Sequence, residues 1–256
     1  MSPESRREGR TEVEQPEGQG SLHIEQVRPD IVNLLGAVST ATITTQLLKR
    51  GLRNTFLHGL RPLNPDATRI VGPAFTLRYI PAREDIDVVE SFQDPEHPQR
   101  QAVETAPPGS VLVMDCRMNG RAASAGHILA TRLAQRGVAG VVTDGSVRDS
   151  NRISKMDLPV FVQNVSAMTN LALHHAADFN VPIGCAGVPV FPGDVIVADG
   201  EGVVCIPHHL AAEIAAPAAQ QEELEEFLLR RVAEGAALPG TYPPDAETLA
   251  AYGSHR

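Results

Sequence analysis

Short aliphatic runs alternate with segments of helical periodicity through the middle of the chain. The runs at 110–115 and 139–144 are continuous and apolar, as expected for strands buried on both faces of a sheet. Between them, 126–136 has apolar residues at helical spacing and ends at Gly137, a favoured helix C-cap. A further apolar run at 159–163 completes a β-α-β-α-β order. This order predicts parallel strands joined by right-handed crossovers.

The flanking segments predict additional helices and a second group of strands. Glycine- and proline-containing breaks separate the later apolar runs, which indicates tight turns between antiparallel strands. The further predicted elements are a helix over 39–50 capped by Ser39 and closed by Gly51, a strand over 69–80, a surface loop with a short helix over 81–99, a helix over 148–156, a helical stretch around His174 and His175, antiparallel strands over 183–190 and 194–206, and a long helix over 211–234.

The domain organisation follows from the composition along the chain. Residues 1–21 are polar, charged and glycine-rich, and they predict a disordered extension. Residues 22–234 are expected to form a single domain. Residues 235–256 form a Pro/Gly-rich tail that is either disordered or wrapped over a neighbouring subunit. The first 20 residues contain no apolar stretch of the kind that a secretory signal requires.

Composition and charge exclude several classes of function. Hydrophobic residues make up 42% of the 256 positions but aromatic residues only 4%, so the core must be aliphatic. The net charge of -9 argues against a nucleic-acid partner, because such a partner requires cations that replace phosphate counterions. No polybasic or long apolar run suits a membrane.

Cysteine and lysine usage narrow the chemistry further. Cys116, Cys185 and Cys205 are scattered in or beside apolar runs, which provides no disulfide framework or zinc motif and fits a reduced, cytoplasmic setting. Lys49 and Lys155 are the only lysines among 22 basic residues. A Schiff-base mechanism requires a lysine, so a metal ion is the expected electron sink if the substrate is a carbonyl compound.

Two strand-to-helix junctions carry candidate chemistry. The segment Gly126–Leu129 opens a helix, whose free backbone N–H groups and dipole favour an anion such as a carboxylate or phosphate. The segment Asp144–Asp149 presents Arg148, a planar donor for carboxylates, beside Asp149, an oxygen ligand for Mg²⁺. Taken alone, the glycine also fits tight strand–helix packing, and the Arg-Asp pair also fits an ordinary surface pair at a helix start.

In combination, these segments resemble a known family. The resemblance rests on GHILA at 126–130, GVAGVVTDGSVRD at 137–149, PGDVIVAD at 192–199 and GVV at 202–204, and it extends from about 39 to 207. The chain is similar to the RraA-like family, which includes class II 4-hydroxy-4-methyl-2-oxoglutarate / 4-carboxy-4-hydroxy-2-oxoadipate aldolases and the regulator of ribonuclease activity A. The resemblance implies an α/β fold, a swivelling β/β/α sandwich with a central mixed sheet, assembled as homotrimers or hexamers with sites between subunits.

The resemblance also implies roles for the residues of both junctions. Asp149 would bind Mg²⁺ or Mn²⁺, and Arg148 would bind a 2-keto acid and stabilise its enolate. In a retro-aldol cleavage the metal polarises the 2-keto group and pyruvate enolate leaves; oxaloacetate decarboxylation uses the same enolate. The implied substrate-binding residues are Gly126, His127, Ile128 and Leu129, with backbone amides around the last two holding the pyruvate carboxylate.

Two positions depart from the aldolase pattern. The aldolases of this family usually carry an acidic residue directly after the helix-opening glycine and another three positions after the aspartate, where this chain has His127 and Arg152. Both changes replace negative charge with potential positive charge. We therefore expect the distal end of the substrate to differ from that of the aldolase substrates, a sugar-acid-derived 2-keto acid being one option.

Other polar residues are weaker candidates. Glu201 lies in a turn and fits either turn chemistry or a supporting acid at a neighbouring subunit's site. Asn119 follows a strand near the expected cleft and is a candidate for supporting the site. The histidine pairs at 174–175 and 208–209 fit exposed, capping or interface positions better than a metal site, because adjacent residues of a helix do not face one ion.

Three functions are compatible with these observations. The first is a divalent-metal-dependent lyase that cleaves or decarboxylates a 2-keto acid through a pyruvate-type enolate. The second is a non-catalytic binding protein of the ribonuclease-regulator type, against which the intact Arg148-Asp149 pair argues. The third uses the same site for dehydration or isomerisation of a sugar acid.

Overall fold

A computed structural model describes residues 24–255, and the predicted extension at 1–21 lies outside this range. The helices are α1 Pro29–Gly36, α2 Thr40–Leu48, α3 Pro98–Thr105, α4 His127–Gln135, α5 Ser150–Ile153, α6 His208–Ala233, α7 Leu238–Thr241 and α8 Ala246–His255, with 3-10 turns at Val89–Gln93 and Asn170–Ala172. The strands are β1 Arg61–Pro62, β2 Ile70–Pro81, β3 Val111–Asp115, β4 Ala123–Ala125, β5 Gly140–Val147, β6 Val160–Val165, β7 His174–Phe179, β8 Ile183–Cys185, β9 Val188–Val190, β10 Val195–Ala198 and β11 Val203–Ile206.

Nine strands form one mixed sheet, and β8 and β9 form a separate antiparallel pair. The main order is β1-β6-β5-β3-β2-β10-β11, with β4 paired to β5 and β7 paired to β2. Strands β2, β3, β5 and β6 pair in parallel, which confirms the predicted crossover unit. Strands β10 and β11 are antiparallel, as predicted for the later part of the chain.

The alternation of side chains along the central strands separates two apolar layers. In β3, Leu112 and Met114 pack with the helices α3 and α4, whereas Val111 and Val113 face the β8–β9 pair. A third layer packs α1, α2 and α6 against the buried faces of β10 and β11. The core is mainly aliphatic, as the composition predicted, and Phe75, Tyr79 and Phe161 are its largest fully buried side chains.

Helix α2 begins where its capping residue predicts. The Ser39 hydroxyl accepts a hydrogen bond from the Thr42 backbone N–H at 3.2 Å, which satisfies one of the free donors at the start of α2. Gly51 follows with φ of 85°, a conformation that suits glycine.

Within residues 24–255 no single helix is long and apolar enough to cross a membrane. Helices α1 and α2 together have the length and composition of a span, but they are bent by 109° relative to each other.

The structure corrects the predicted boundary between β5 and the helix after it. The sequence placed the strand end and a turn at Asp144-Gly145, but β5 continues to Val147, buried throughout. The helix predicted over 148–156 is shortened to Ser150–Ile153. The strand is longer because β6 and β4 both pair with its final residues, which keeps the backbone extended.

The helical prediction around His174 and His175 was wrong. Both residues lie in β7, antiparallel to β2, and the sheet pairing overrides the helix propensity of the neighbouring alanines. His174 is fully buried rather than exposed. Its ring nitrogens contact an Arg117 guanidinium nitrogen at 3.2 Å and the Ala122 carbonyl at 3.3 Å.

The C-terminal segment, predicted as a tail that is disordered or wrapped over a neighbouring subunit, contains two helices. Helices α7 and α8 follow α6, and the Tyr252 ring lies 5.3 Å from the Phe227 ring of α6, centroid to centroid. The segment therefore packs on its own chain.

The three cysteines are free and buried, and burial raises the pKa of Cys116 to about 12, so they act as small core residues.

One buried carboxylate ties three parts of the fold together. Asp144 of β5 is 0% exposed and accepts hydrogen bonds from the backbone N–H groups of Cys116, Met118 and Ala186. The first two belong to the turn after β3, and the third belongs to the turn between β8 and β9. This contact fixes both turns against the end of β5.

Replacement of Asp144 by Ala is expected to destabilise the protein by about 3 kcal/mol or more, because three buried N–H groups lose their acceptor. Chemical denaturation of both proteins measures the difference. Asp66→Ala is the matched control, because Asp66 is exposed and its carboxylate has no hydrogen bond within the described part of the chain. Equal destabilisation by the two variants would contradict the assigned role.

Burial lowers the pKa of His174, and the nearby Arg117 and Arg121 lower it further. The unfolded chain therefore protonates at this residue near its ordinary pKa of about 6.5, while the folded chain protonates only at a lower pH. Folding stability should fall as pH drops below about 6.5, with a slope of at most roughly 1.4 kcal/mol per pH unit from this group. Denaturant midpoints measured from pH 8 to pH 5 should show a shallower slope in His174→Asn. An unchanged slope would exclude His174 as its source.

Candidate functional site

The candidate site lies where β4 and β5 end side by side. These strands pair in parallel, with Ala125 opposite Val147, so the residues that follow them meet at one edge of the sheet. The Arg148 backbone N–H donates to the Ala125 carbonyl at 3.0 Å. This pairing brings the start of α4 against the Arg148-Asp149 pair, as the two junctions in the sequence predicted.

Gly126 is closely surrounded by the two residues that it faces. A Cβ atom placed on Gly126 would lie 2.9 Å from Arg148 Cγ and 3.0 Å from Asp149 Oδ2. Its φ of -129° is open to any residue, so the need for glycine is one of space and not of backbone conformation. A side chain here would push Arg148 and Asp149 out of position.

The first turn of α4 offers backbone donors to an anion. The His127 N–H lies 3.3 Å from Asp149 Oδ2, and the amides of Ile128 and Leu129 have no acceptor among residues 24–255. No acidic residue occupies this first turn. The positive end of the helix dipole is therefore offset only by Asp149, and it favours a bound carboxylate.

Asp149 and Arg148 present their charged groups to solvent-accessible space. Asp149 adopts a left-handed conformation with φ of 58°, which aspartate tolerates better than most residues, and α5 begins directly after it. Its Oδ2 lies 3.6 Å from Arg148 Nε, and both side chains are nearly half exposed. Oδ1 of Asp149 and the terminal nitrogens of Arg148 have no hydrogen-bond partner within the described range, so both remain available to a ligand.

Arg148 and Asp149 form the wall between two adjoining clefts. The first has a volume of about 220 Å³, below the roughly 300–1,000 Å³ of typical ligand pockets, and so suits a small molecule. The second, of about 400 Å³, includes Arg152 and Val165. Besides Arg148 and Asp149, the first cleft is lined by Phe92, Gln99, Arg100, Ala123, Ser124, Ala125, Gly126, Ile128, Leu129, Thr169 and Asn170.

Comparison with known proteins identifies the family. The profile described as RraA-like, Aldolase/RraA, matches residues 40–205, which include both strand-to-helix junctions. The chain belongs to the RraA-like family. It is 27% identical over 211 residues to a provisionally named 4-hydroxy-4-methyl-2-oxoglutarate aldolase of Halalkalibacterium halodurans, covering 82% of this chain and 92% of that protein.

Two solved structures share the fold of this RraA-like protein. Streptomyces coelicolor RraAS2, described as an unusual member of the RNase ES inhibitor RraA protein family, is 30% identical with a TM-score of 0.70, over 79% of this chain and 97% of its own. An uncharacterised protein from Pseudomonas syringae pv. tomato matches with a TM-score of 0.75 at 24% identity, over 87% and 97% of the two chains. These matches confirm the predicted α/β fold with a mixed sheet.

The donor set of the RraA-like site fits a hard divalent cation held by few protein ligands. Residues 24–255 contain no group of three or more His, Cys, Asp or Glu side chains that could enclose a metal ion. Asp149 supplies a single accessible carboxylate beside the start of α4. Mg²⁺ commonly keeps several waters and takes one or two carboxylates together with substrate oxygens, so one aspartate suffices for this type of site.

The remaining candidates lie in three different places. Arg152 lines the second cleft, and the His127 backbone contacts Asp149. Glu201, between β10 and β11, lines a separate groove with Arg53 and His58. It lines neither of the two clefts beside Arg148. Asn119 accepts hydrogen bonds from Arg121 and lines neither cleft at the pair. Their proposed roles stay predictions.

Sequence reasoning missed the cleft wall formed by Arg100 and Asn170. Arg100 adjoins the segment predicted as surface loop, and Asn170 belongs to a 3-10 turn without a sequence motif. The residues of this wall are distant in sequence from both junctions, and no local pattern connects them. Only the packing of α3 and of the 3-10 turn around the cleft reveals their shared position.

Gly126→Ala is expected to weaken pyruvate binding at least tenfold, because the added methyl group displaces Arg148 and Asp149. Isothermal titration calorimetry in Mg²⁺-containing buffer measures the affinity. Gly184→Ala is the matched control, because nothing lies within 4 Å of a Cβ at Gly184 and its φ is not positive. Unchanged affinity in Gly126→Ala would show that the close approach has no part in binding.

Proposed function

We propose that this protein is a divalent-metal-dependent lyase that cleaves or decarboxylates a 2-keto acid through a pyruvate-type enolate. The carrying observation is the convergence of Gly126, Arg148 and Asp149 within contact distance at one edge of the sheet. The aldolase name of the Halalkalibacterium halodurans relative supports the same reaction class. The small volume of the cleft suits a substrate of a few carbon atoms.

The protein's own groups bind and orient the keto acid. The amides of Ile128 and Leu129, at the positive end of α4, receive the carboxylate next to the keto group. The Arg148 guanidinium donates to the keto oxygen, where negative charge develops as the enolate forms. These donors are held by backbone and by strand pairing before the substrate arrives, so little reorganisation accompanies the reaction.

Asp149 would hold Mg²⁺ or Mn²⁺ through its accessible carboxylate oxygen. When bound, the cation acts as a Lewis acid that polarises the 2-keto group. The carbon–carbon bond breaks with its electrons passing to the enolate oxygen near Arg148. In the retro-aldol case the 4-hydroxyl group gives up its proton to water as it becomes the carbonyl of the leaving aldehyde or ketone, and in decarboxylation CO₂ leaves. Water then returns a proton to the enolate carbon, which gives pyruvate. The scarcity of lysine is consistent with this route, because an enolate reaction assisted by a Lewis acid would require no Schiff base.

The same proposal includes a homotrimer or hexamer. Three apolar side chains around the site are strongly exposed in the single chain: Ile128 at 83%, Val165 at 49% and Met168 at 50%. Exposed apolar residues clustered near a site are typical of surfaces that another chain covers. A neighbouring subunit is the occupant that the family resemblance favours.

A second candidate is a binding protein of the ribonuclease-regulator type. It is supported by the 30% identity to RraAS2, whose description names RNase ES inhibition. The accessible Arg148-Asp149 pair favours the lyase, since a protein-binding ring has no need of this arrangement. Dehydration or isomerisation of a sugar acid would use the same groups and differs only in the bond that breaks.

Pyruvate release from oxaloacetate or a 4-hydroxy-2-keto acid tests the lyase directly. Asp149→Asn should lower kcat/KM by about 100-fold or more, because the amide keeps the left-handed turn but loses the charge that holds the cation. Asp157→Asn, an exposed aspartate elsewhere, is the control and should leave kcat/KM within about twofold.

Chelation by EDTA should abolish the activity, and added Mg²⁺ or Mn²⁺ should restore it. Turnover that persists in EDTA and in Asp149→Asn would exclude the metal-dependent mechanism. Absence of pyruvate release from every 2-keto acid tested, with specific binding to a ribonuclease, would favour the regulator instead.

A further inference from the structure

Gln99 presents a buried amide of fixed orientation at the wall of the first cleft. The residue lies in the first turn of α3, is only 3% exposed and lines the cleft. Its Nε2 donates hydrogen bonds to the Ser124 carbonyl at 2.7 Å and to the Tyr79 hydroxyl at 3.0 Å. A carbonyl can only accept, so the Nε2 end of the amide faces Ser124 and the Oε1 end faces away from it.

The Oε1 atom of Gln99 is an acceptor that has no donor. It accepts no hydrogen bond from residues 24–255, and it is not among the fully enclosed polar atoms of this range that lack a partner, so it keeps accessible surface. Because the residue lines the first cleft, that surface faces the cleft. An amide oxygen left unpaired in a nearly buried position is costly, which indicates that a bound molecule supplies the donor.

The neighbouring polar groups define which donor fits. The Thr169 hydroxyl donates to Asn170 Oδ1 at 3.3 Å, and the Ser124 carbonyl already accepts two hydrogen bonds. The Arg100 guanidinium lines the same cleft and is positively charged, so it disfavours a cationic donor such as an ammonium group. A neutral O–H group of the ligand is therefore the partner that suits Gln99.

We propose that Gln99 is a specificity-determining residue, which accepts a hydrogen bond from the hydroxyl group of an aldol substrate and so favours cleavage over decarboxylation. The inference rests on the proposed function, which leaves both reactions open at one site. A retro-aldol substrate carries a hydroxyl group on the carbon where its leaving group begins. Oxaloacetate has a carboxylate at that position and no hydroxyl group to donate. A site built around a hydrogen bond discriminates against a ligand that leaves its polar group unpaired.

Gln99 orients the hydroxyl group and does not take its proton. An amide oxygen is a very weak base, so the proton passes to water while the electrons of the O–H bond form the carbonyl of the leaving aldehyde or ketone. The electrons of the carbon–carbon bond pass to the enolate. The hydrogen bond from Gln99 to Ser124 ties the acceptor to β4, the strand that ends at the start of α4. Both ends of the substrate are thereby held against one strand, which fixes the direction of the O–H group.

A purely structural role for Gln99 is the competing explanation, and Tyr79 provides the control that separates the two. The Tyr79 hydroxyl donates to the same Ser124 carbonyl at 3.0 Å, and its side chain is fully buried. Tyr79→Phe therefore disturbs the same network of hydrogen bonds but leaves the Gln99 Oε1 in place. If Gln99 only supports β4, its replacement and that of Tyr79 should affect both reactions alike.

Steady-state kinetics on two substrates tests the inference. The full-length protein in Mg²⁺-containing buffer is assayed for cleavage of 4-hydroxy-2-oxopentanoate and for decarboxylation of oxaloacetate, and the ratio of the two kcat/KM values is the measurement. Gln99→Met, which keeps the length of the side chain but lacks the amide, should lower this ratio about tenfold or more. Its decarboxylation should stay within about threefold of wild type, which also reports an intact fold.

Two further variants complete the test. Gln99→Glu retains a side-chain oxygen acceptor and should keep more of the ratio than Gln99→Met, and Tyr79→Phe should leave the ratio within about twofold. An unchanged ratio in Gln99→Met, an equal loss of both activities in that variant, or a tenfold lower ratio in Tyr79→Phe would overturn the inference. Absence of pyruvate release from both substrates with the wild-type protein would instead refute the proposed function on which the inference rests.

Discussion

The parallel pairing of β4 with β5 is the constraint on which the candidate site depends. Two strands that run in the same direction end at the same edge, and here each is followed at once by a helix. Gly126 and Arg148 therefore become neighbours although 22 residues separate them along the chain. Asp144 also stabilises this part of the sheet, because its buried carboxylate holds the turn after β3 and the turn before β9 against β5. Such backbone-based support positions the charged groups without relying on flexible loops.

The sequence predicted the parts of the fold that depend on local pattern. Continuous aliphatic runs identified β3, β5 and β6, and the cap at Ser39 set the start of α2, because these signals lie within a few residues of one another. The errors occurred where tertiary pairing decides the local structure. The segment at His174 contains helix-favouring alanines, but its pairing with β2 makes it a strand. The Asp144-Gly145 pair is typical of a turn, but β4 and β6 both pair with the residues that follow it, and this pairing keeps the backbone of β5 extended.

The same division applies to the site. The Gly126 and Arg148-Asp149 junctions were predictable, because each is a strand end followed by a helix start within one short segment. Arg100 and Asn170 were not, because their proximity arises from the packing of α3 and a 3-10 turn around the cleft. The local charge is also opposite to that of the whole chain: a net charge of -9 coexists with Arg100, Arg148 and Arg152 around two adjoining clefts. An acidic protein can thus present a locally basic surface.

The two walls of the first cleft come from separate stretches of the chain. One wall is the junction of 123–149, in which Gly126 leaves no space for a side chain. The other is formed by 92–100 and 169–170, which approach it only through packing. Substitutions or length changes in the second stretch can therefore alter the shape and charge of the cleft while the first remains intact. Descendants of one ancestral gene could acquire clefts of different shape and charge in this way and keep the Gly126 and Arg148-Asp149 junction unchanged.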